Sequence, residues 1–163
     1  MRKSYRLELG ATPLGDGRCR FLVYAPKAKR VEVLLLSPRE ATVPLDRIER
    51  GYHRGVAEEA PPGALYRYRL DGEMERPDPA SRYQPQGVHG PSQVVDRSAF
   101  RWEDGEWTGL SLENYILYEM HVGTFTPEGT FEAVIPRLDA LRELGVTALE
   151  LMPVAQFPGN RNW

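Results

Sequence analysis

Apolar and polar side chains alternate with a period of two in several short runs along the first part of the chain. Residues 18–23 alternate after the Gly15-Asp16-Gly17 turn, residues 31–35 repeat the pattern, and residues 65–70 form a third run. Short alternating runs separated by turn residues are typical of an antiparallel sandwich. The pattern therefore predicts a β-sandwich over residues 1–98.

The Asp71-Gly72 dipeptide directly follows the third run. Asp-Gly between two strand-like runs favours a type I′ turn, because both central positions of that turn need a positive φ. Residues 73–76 then return along the third run, so the sequence predicts a tight hairpin at this point.

Two irregular stretches follow the hairpin. Residues 76–95 are rich in Pro, Gly, Ser and Gln, which predicts a long connection rather than an element. Phe100, Trp102 and Trp107 come next, among acidic and Gly residues, and large aromatics in such a position usually hold one domain against another. We expect an aromatic linker at residues 99–114.

The period changes in the last third of the chain. Residues 116–122 and 146–154 are apolar runs of strand length, of the kind that parallel sheets bury on both faces, whereas apolar residues between 131 and 144 follow helical spacing. Strand, helix and strand in this order predict a right-handed parallel crossover within residues 115–163. Because one such unit leaves strand edges unpaired, we expect it to begin a larger sheet or barrel.

Three residues indicate where the helix begins, bends and ends. Thr130 is suited to the N-cap and Gly145 to the position just after the helix. Pro136 lies inside the helical pattern, where it removes a hydrogen bond. We expect it to kink the first turns or to delay the start of the helix to about residue 135.

Composition narrows the range of partners. The chain has 163 residues, 41% of them hydrophobic, and a formal net charge of −2 with both signs mixed along its length. No run of Lys or Arg is present, which argues against nucleic acid and membrane surfaces and leaves small polar or neutral ligands. Cys19 is the only cysteine, so an internal disulfide is impossible, and the first residues lack the apolar run of a secretory signal. We expect a cytoplasmic protein.

The sequence gives no indication of a cofactor or a metal site. The glycines near residues 123 and 129 do not form a nucleotide-binding fingerprint. His53, His89 and His121 are too scattered for a metal-binding spacing, and one cysteine cannot complete a zinc site. We therefore expect neither a metal nor a cofactor.

Four polar residues lie within the two apolar runs of the last third: Tyr118, Glu119, His121 and Glu150. Ionisable groups in a buried strand must be paired or must line a cavity. Alternation places Glu119 and His121 on one face, and Glu119 with Glu150 is the only carboxylate pair that glycoside hydrolysis could use. We interpret all four as structural groups of a barrel interior, in preference to direct catalysis.

Several aromatic residues could stack on sugar rings. Tyr52, Tyr83, Trp102 and Trp107 are candidates, although aromatics in a β-rich chain more often fill cores and domain seams. Trp163 follows a strand's carboxyl end, where barrel enzymes place their sites, and we expect it to bind substrate.

Three segments have the sequences Tyr118-Glu-Met-His-Val-Gly-Thr-Phe-Thr-Pro-Glu-Gly-Thr-Phe131, Leu144-Gly-Val-Thr-Ala-Leu-Glu-Leu-Met-Pro153 and Phe157-Pro-Gly-Asn-Arg-Asn-Trp163. Together they resemble the start of the catalytic barrel in the α-amylase superfamily, in the branch that contains glycogen branching enzymes and maltooligosyltrehalose trehalohydrolases. Residues 76–96, which begin Arg-Pro-Asp-Pro-Ala-Ser-Arg-Tyr, more closely resemble the trehalohydrolases. The resemblance covers nearly the whole chain.

The resemblance implies a mainly β fold, in which an immunoglobulin-like sandwich of the early-set type precedes the first β-α-β unit of an incomplete (β/α)8 barrel. It implies retaining cleavage of the α-1,4 bond next to a terminal trehalose, by an aspartate nucleophile and a glutamate general acid. In that family the carboxylates lie on barrel strands four, five and seven. Only strands one and two would lie in this chain, so no catalytic residue is assigned.

We therefore expect an inactive N-terminal part of a trehalohydrolase-like glycoside hydrolase, whose full-length form acts on maltooligosyltrehalose or another α-glucan. Two alternatives remain. The chain could be the same part of a branching enzyme, or its sandwich could act by itself as a carbohydrate-binding or barrel-bracing module. We also expect self-association through the β-α-β unit, with Leu117, Leu149 and Leu151 at or near the contact.

Overall fold

Residues 8–159 are described by the structure, a computed structural model, and they form two units. The first comprises residues 8–101 with 157–159, and the second comprises residues 102–156. The division expected at residues 98 and 114 stays a prediction.

The first unit is built from antiparallel strands. Its eight strands are β1 (Gly10–Gly15), β2 (Arg18–Tyr24), β3 (Val31–Ser37), β4 (Ala41–Arg47), β5 (Tyr52–Ala57), β6 (Leu65–Leu70), β7 (Met74–Arg76) and β8 (Ser92–Gln93). The strands pair in the order β1-β2-β5-β4-β3-β6-β7, and β8 pairs with β6. A one-turn 3-10 helix, Glu49–Gly51, precedes β5.

The sandwich has two halves, one formed by β1, β2 and β5 and the other by β3, β6, β7 and β8. Strand β4 belongs to both. Its residues 41–45 pair with β3, whereas Asp46 and Arg47 pair with β5. The two halves approach closely at Gly55, where an added Cβ would lie 2.7 Å from a methyl group of Leu45. A larger residue at position 55 would therefore displace β4 where it crosses between the halves.

The core lies between the two halves and comes from the alternating runs. Cys19, Phe21 and Val23 of β2 are buried, as predicted. Val31, Val33 and Leu35 of β3 are buried from the other side. The ring of Phe21 packs edge-on against Tyr66 of β6, with 4.9 Å between centroids. The prediction of a mainly β, immunoglobulin-like antiparallel module is confirmed.

The hairpin at Asp71-Gly72 is also confirmed. Both residues have positive φ, 51° and 83°, and the Glu73 amide donates to the Leu70 carbonyl at 3.2 Å. The Asp71 carboxylate accepts hydrogen bonds from the backbone amides of Lys29 and Arg30, at 2.8 and 2.9 Å. The turn thereby holds the loop that leads into β3.

The stretch after β7 is less irregular than its composition indicates. It contains β8, which pairs Ser92 with Tyr66, and it buries Asp78, Ser92 and Val94. The expectation of a connection without an element was wrong, because β6 has an open edge that this segment covers.

The second unit holds a short parallel strand pair with helical turns between the strands. Its elements are β9 (Leu117–Met120), α1 (Val122–Phe125), α2 (Phe131–Val134), α3 (Leu138–Glu143) and β10 (Ala148–Leu151). Strands β9 and β10 pair in parallel from Leu117 with Ala148 to Met120 with Leu151. The predicted β-α-β order is confirmed. The strands are shorter than predicted, because each pairs with only one neighbour among the described residues.

The helix ends follow the sequence signals. The Thr130 hydroxyl accepts a hydrogen bond from the Ala133 amide at 3.2 Å. Pro136 lies in a 3-10 turn, Ile135–Arg137, that separates α2 from α3. The helical segment begins at Phe131, so the start is not delayed to residue 135 and the proline instead interrupts the α-helix. Gly145 has a φ of 100°, and the following amide donates to the Leu141 carbonyl at 3.0 Å, which closes the helix in a left-handed cap.

Apolar residues of the second unit differ in burial. Met120, Val122 and Val134 form a small buried cluster with Tyr118 and Phe125 packed against it. Large apolar side chains on both strands are exposed, in particular Leu117, Leu149 and Leu151.

No helix among residues 8–159 is long and apolar enough to cross a membrane.

Candidate functional site

The parallel strands bring two of the four predicted barrel residues together. Glu119 and Glu150 are register partners on β9 and β10, and both are exposed. Tyr118 lies on the opposite face, half-buried, with its ring 6.1 Å from that of Phe125. His121 follows β9 and lies close to Gly123, where an added Cβ would be 3.0 Å from the imidazole. The predicted interior role of these residues stays a prediction.

Glu119 and Glu150 are the two carboxylates that the strand pair brings side by side. A glycosidase needs two carboxyl groups on either side of a bound sugar, whereas these two are adjacent on one face of the strand pair. A cleft of about 310 Å³ lies beside the same unit and is lined by α3 and by residues 146–149, without either carboxylate. The structural interpretation of the two carboxylates stays a prediction.

Of the three tryptophans, Trp102 and Trp107 lie among the described residues. Trp102 and Trp107 are 74% and 68% exposed, and their expected role in holding one domain against another stays a prediction. Trp163, the predicted substrate-binding residue, lies outside the described residues.

Cys19 is buried, and burial raises the pKa of its thiol to about 12, so it is not a thiolate nucleophile. Among residues 8–159, no group of three His, Cys, Asp or Glu side chains could hold a metal ion.

A buried polar cluster around Asp78 was missed from the sequence. Its Oδ2 atom accepts hydrogen bonds from the hydroxyls of Tyr66 at 2.6 Å and Tyr68 at 3.4 Å. Its Oδ1 atom accepts from the Ala80 amide at 2.7 Å, and its own amide donates to Ser92 Oγ at 3.0 Å. The cluster joins the Pro-rich segment to β6 and β8.

Burial controls the ionisation of this cluster. It raises the pKa of the Asp78 carboxyl, and the hydrogen bonds from Tyr66, Ala80 and Tyr68 only partly oppose that effect. Burial together with the Asp78 charge raises the pKa of both tyrosine hydroxyls. The side chains of Asp78, Tyr66, Tyr68 and Ser92 are hydrogen-bonded within this cluster inside the sandwich, so we interpret them as structural rather than catalytic.

An aromatic pair, one ring exposed and the other half-buried, lies on the outer face of the sandwich. Tyr24 of β2 and Tyr52 of β5 are directly opposite in register, and their ring centroids are 5.0 Å apart at an interplanar angle of 53°. Tyr24 is 54% exposed, although it ends a strand whose core-facing residues are fully buried. The sequence indicated Tyr52 as a stacking candidate but not Tyr24, because the register that joins them is not visible from the sequence.

Two recesses lie on the same unit. One, of about 200 Å³, is lined mainly by apolar groups of Leu9, Leu22, Tyr24 and Pro79 and begins beside the tyrosine pair. The other, of about 430 Å³, contains Arg82, whose guanidinium already donates to the Ala11 and Leu9 carbonyls at 2.9 and 3.2 Å. The first recess therefore offers free apolar surface, whereas the main cation of the second is engaged by backbone.

The sandwich matches a known carbohydrate-binding class. Residues 8–84 match the family described as carbohydrate-binding module 48 (isoamylase N-terminal domain). The first unit is therefore similar to modules of that class in both sequence and fold.

Curated relatives cover nearly the whole chain. It is 44% identical over 150 residues to a malto-oligosyltrehalose trehalohydrolase of Saccharolobus solfataricus, covering 92% of this chain and 26% of the relative. It is 44% identical over 162 residues to the same enzyme of Deinococcus radiodurans, covering 97% of this chain and 26% of the relative. A 1,4-alpha-glucan branching enzyme of Kitasatospora aureofaciens is 30% identical, covering 95% of this chain and 22% of the relative.

Two solved structures are similar to nearly the whole chain. A crystal structure described as a candidate α-amylase from Salmonella typhimurium superimposes with a TM-score of 0.86 at 40% identity, over 98% of this chain and 27% of that one. A pullulanase from Anoxybacillus sp. LM18-11, solved with maltotetraose, gives a TM-score of 0.77 at 25% identity, over 96% of this chain and 26% of that one. The chain corresponds to the N-terminal portion, about 26%, of malto-oligosyltrehalose trehalohydrolases, and it is related to branching enzymes and pullulanases.

Proposed function

We propose that the chain is the N-terminal part of a cytoplasmic trehalohydrolase that cleaves the α-1,4 bond next to the terminal trehalose of maltooligosyltrehalose. The observation that carries this proposal is coverage: relatives of that name match 97% of the chain with only 26% of their own length. The parallel strands support it, because they expose apolar residues that further barrel strands would cover.

The chain itself has no hydrolytic activity in this proposal. Its only adjacent carboxylates on the strand pair, Glu119 and Glu150, lie side by side rather than across a sugar site. Cleavage depends on residues supplied by the remaining barrel strands. The role of the chain is to begin the barrel and to hold an α-glucan through its sandwich.

A branching enzyme is the second candidate, and the 30% identity to the Kitasatospora aureofaciens enzyme favours it to a lesser degree. A branching enzyme would transfer a glucan segment to another chain, whereas a trehalohydrolase would use water. A third candidate, a module that only braces a barrel, would require no sugar binding by the sandwich.

Chimeric proteins test the proposal. Residues 1–163 are joined to the remaining three quarters of the Deinococcus radiodurans relative, and a second chimera carries the corresponding remainder of the Kitasatospora aureofaciens branching enzyme. We expect trehalose release from maltooligosyltrehalose by the first chimera and poor folding or activity of the second. Each remainder alone, without an N-terminal part, is the matched control.

The opposite result contradicts the proposal. If the first chimera folds, as judged by circular dichroism, but releases no more trehalose than its remainder alone, the chain is not an interchangeable part of a trehalohydrolase. If only the second chimera is active, with new branch points in amylose, the branching-enzyme alternative replaces it.

A further inference from the structure

We propose that Tyr24 and Tyr52 form a stacking platform for an α-1,4-glucan on the outer face of the sandwich. The inference rests on the proposed glucan-holding role of the module and assigns it to one surface. We call this surface the tyrosine platform. It comprises Tyr24 and Tyr52 with Leu22 and Arg54, which are also directly opposite each other in register.

The pairing of β2 with β5 explains why both rings face outward. Side chains alternate along each strand, and the partners Val23 and His53, next to the tyrosines, are fully buried in the sandwich. The tyrosines therefore point away from the core as a cross-strand pair. Their tilt of 53° and separation of 5.0 Å present two aromatic faces at an angle rather than one flat surface. An angled pair of rings suits the curved path of an α-linked glucan better than the flat path of a β-linked glucan.

The surroundings supply what a sugar needs besides stacking. A pyranose has an apolar C–H face and polar hydroxyls at its rim, so its site combines aromatic surface with a few polar groups. The recess of about 200 Å³, with the buried Leu22 as part of its lining, extends the apolar surface from Tyr24. Arg54 and Asp46 are exposed register partners, and neither side chain has a hydrogen bond or ion pair among residues 8–159. Both are available for sugar hydroxyls.

The half of the sandwich that contains β3 does not offer this combination of aromatic surface and available polar groups at its centre. Glu32, on the outer side of β3, is only 2% exposed and is held by Arg30 and by Arg69 at 2.8 Å. Those charged groups satisfy one another. A second exposed tyrosine, Tyr83, is 52% exposed, but no other ring contacts it in the described part of the chain. The tyrosine platform is therefore the surface best suited to a glucan.

Maltoheptaose binding to the full chain tests the inference. The dissociation constant is measured by NMR titration for the unchanged protein and for Tyr24→Ala, Tyr52→Ala and Tyr24→Phe. Loss of one aromatic anchor is expected to weaken binding by about tenfold, whereas Tyr24→Phe keeps the stacking face and is expected to bind within about twofold of the unchanged protein. Tyr83→Ala is the matched control, since it removes an equally exposed ring elsewhere, and we expect no change.

The outcomes separate this inference from the proposed function. If the unchanged chain does not bind maltoheptaose, both the glucan-holding role and the platform are wrong. If the chain binds but Tyr24→Ala and Tyr52→Ala bind equally well while retaining their circular dichroism spectra, only the platform is wrong. Equal affinity for cellohexaose, whose β-linked chain is flat, would also contradict the angled-platform argument.

Discussion

Replacement of Tyr66 by Phe removes one hydroxyl from the buried cluster around Asp78. That hydroxyl donates the shortest hydrogen bond to the carboxyl, 2.6 Å, and it lies inside the core. The Tyr68 hydroxyl reaches the same Oδ2 atom at 3.4 Å, beyond the usual range for O–H donors. The two Tyr→Phe substitutions are therefore matched in chemistry and differ in the strength of the bond removed.

The expected magnitudes follow from that difference. A hydrogen bond to a charged group contributes about 1.5–3 kcal/mol, so Tyr66→Phe should lower the free energy of unfolding by about 2 kcal/mol. Tyr68→Phe should lower it by about 0.5 kcal/mol, because the bond is long. Since the hydrogen bond from Tyr66 lowers the pKa of Asp78, its removal should raise that pKa further above the ordinary value.

Urea unfolding followed by circular dichroism measures both effects, with Tyr83→Phe as the control on an exposed ring. The raised pKa means that the folded state keeps its proton to higher pH than the unfolded state. Stability should therefore decrease as pH rises from about 4 toward the folded pKa, and over a wider range in Tyr66→Phe. Equal losses for Tyr66→Phe and Tyr68→Phe, or no loss for either, would refute the argument.

Four further predictions concern other parts of the chain. His53 is fully buried without a hydrogen bond to either ring nitrogen among residues 8–159, so His53→Leu should leave stability unchanged or raise it by about 1 kcal/mol in urea unfolding. Burial lowers the pKa of His53, so the unchanged protein should lose stability as pH falls below about 6.5, and His53→Leu should lose less; equal pH dependence would contradict this. Hydrogen exchange should show stronger protection of amides in residues 10–94 than in residues 115–154, whereas uniform protection in a proven monomer would oppose it. Sedimentation velocity should show concentration-dependent association that Leu149→Lys weakens, and a single monomeric species at the highest concentration would argue against it.

Local patterns predicted the parts of the fold that local chemistry determines. Alternation predicted the buried face of β2, Asp71-Gly72 predicted its turn because positive φ is needed there, and Thr130 and Gly145 predicted the helix ends. Each of these features depends on residues that are close together in the sequence. The strand ends in the second unit were predicted too long, since a strand continues only while a neighbour supplies hydrogen bonds.

The candidate sites could be predicted only in part, because they depend on pairing register. Tyr24 and Tyr52 are far apart in the sequence and meet only through the alignment of β2 with β5. Asp78 comes from a Pro-rich segment that composition indicated to be irregular, and its partners come from β6 and β8. A signal for Tyr24 was present, since it continues the outward-facing positions of Arg20 and Leu22.

Incubation of residues 1–163 with maltooligosyltrehalose shows whether the chain binds glucan without cleaving it, with released trehalose measured by chromatography and maltoheptaose binding measured on the same sample. We expect binding without trehalose release, because in the proposed function the sandwich holds the glucan and the cleaving carboxylates lie on barrel strands outside this chain. Trehalose release above the buffer control, abolished by Glu119→Gln in a protein that still folds, would contradict it.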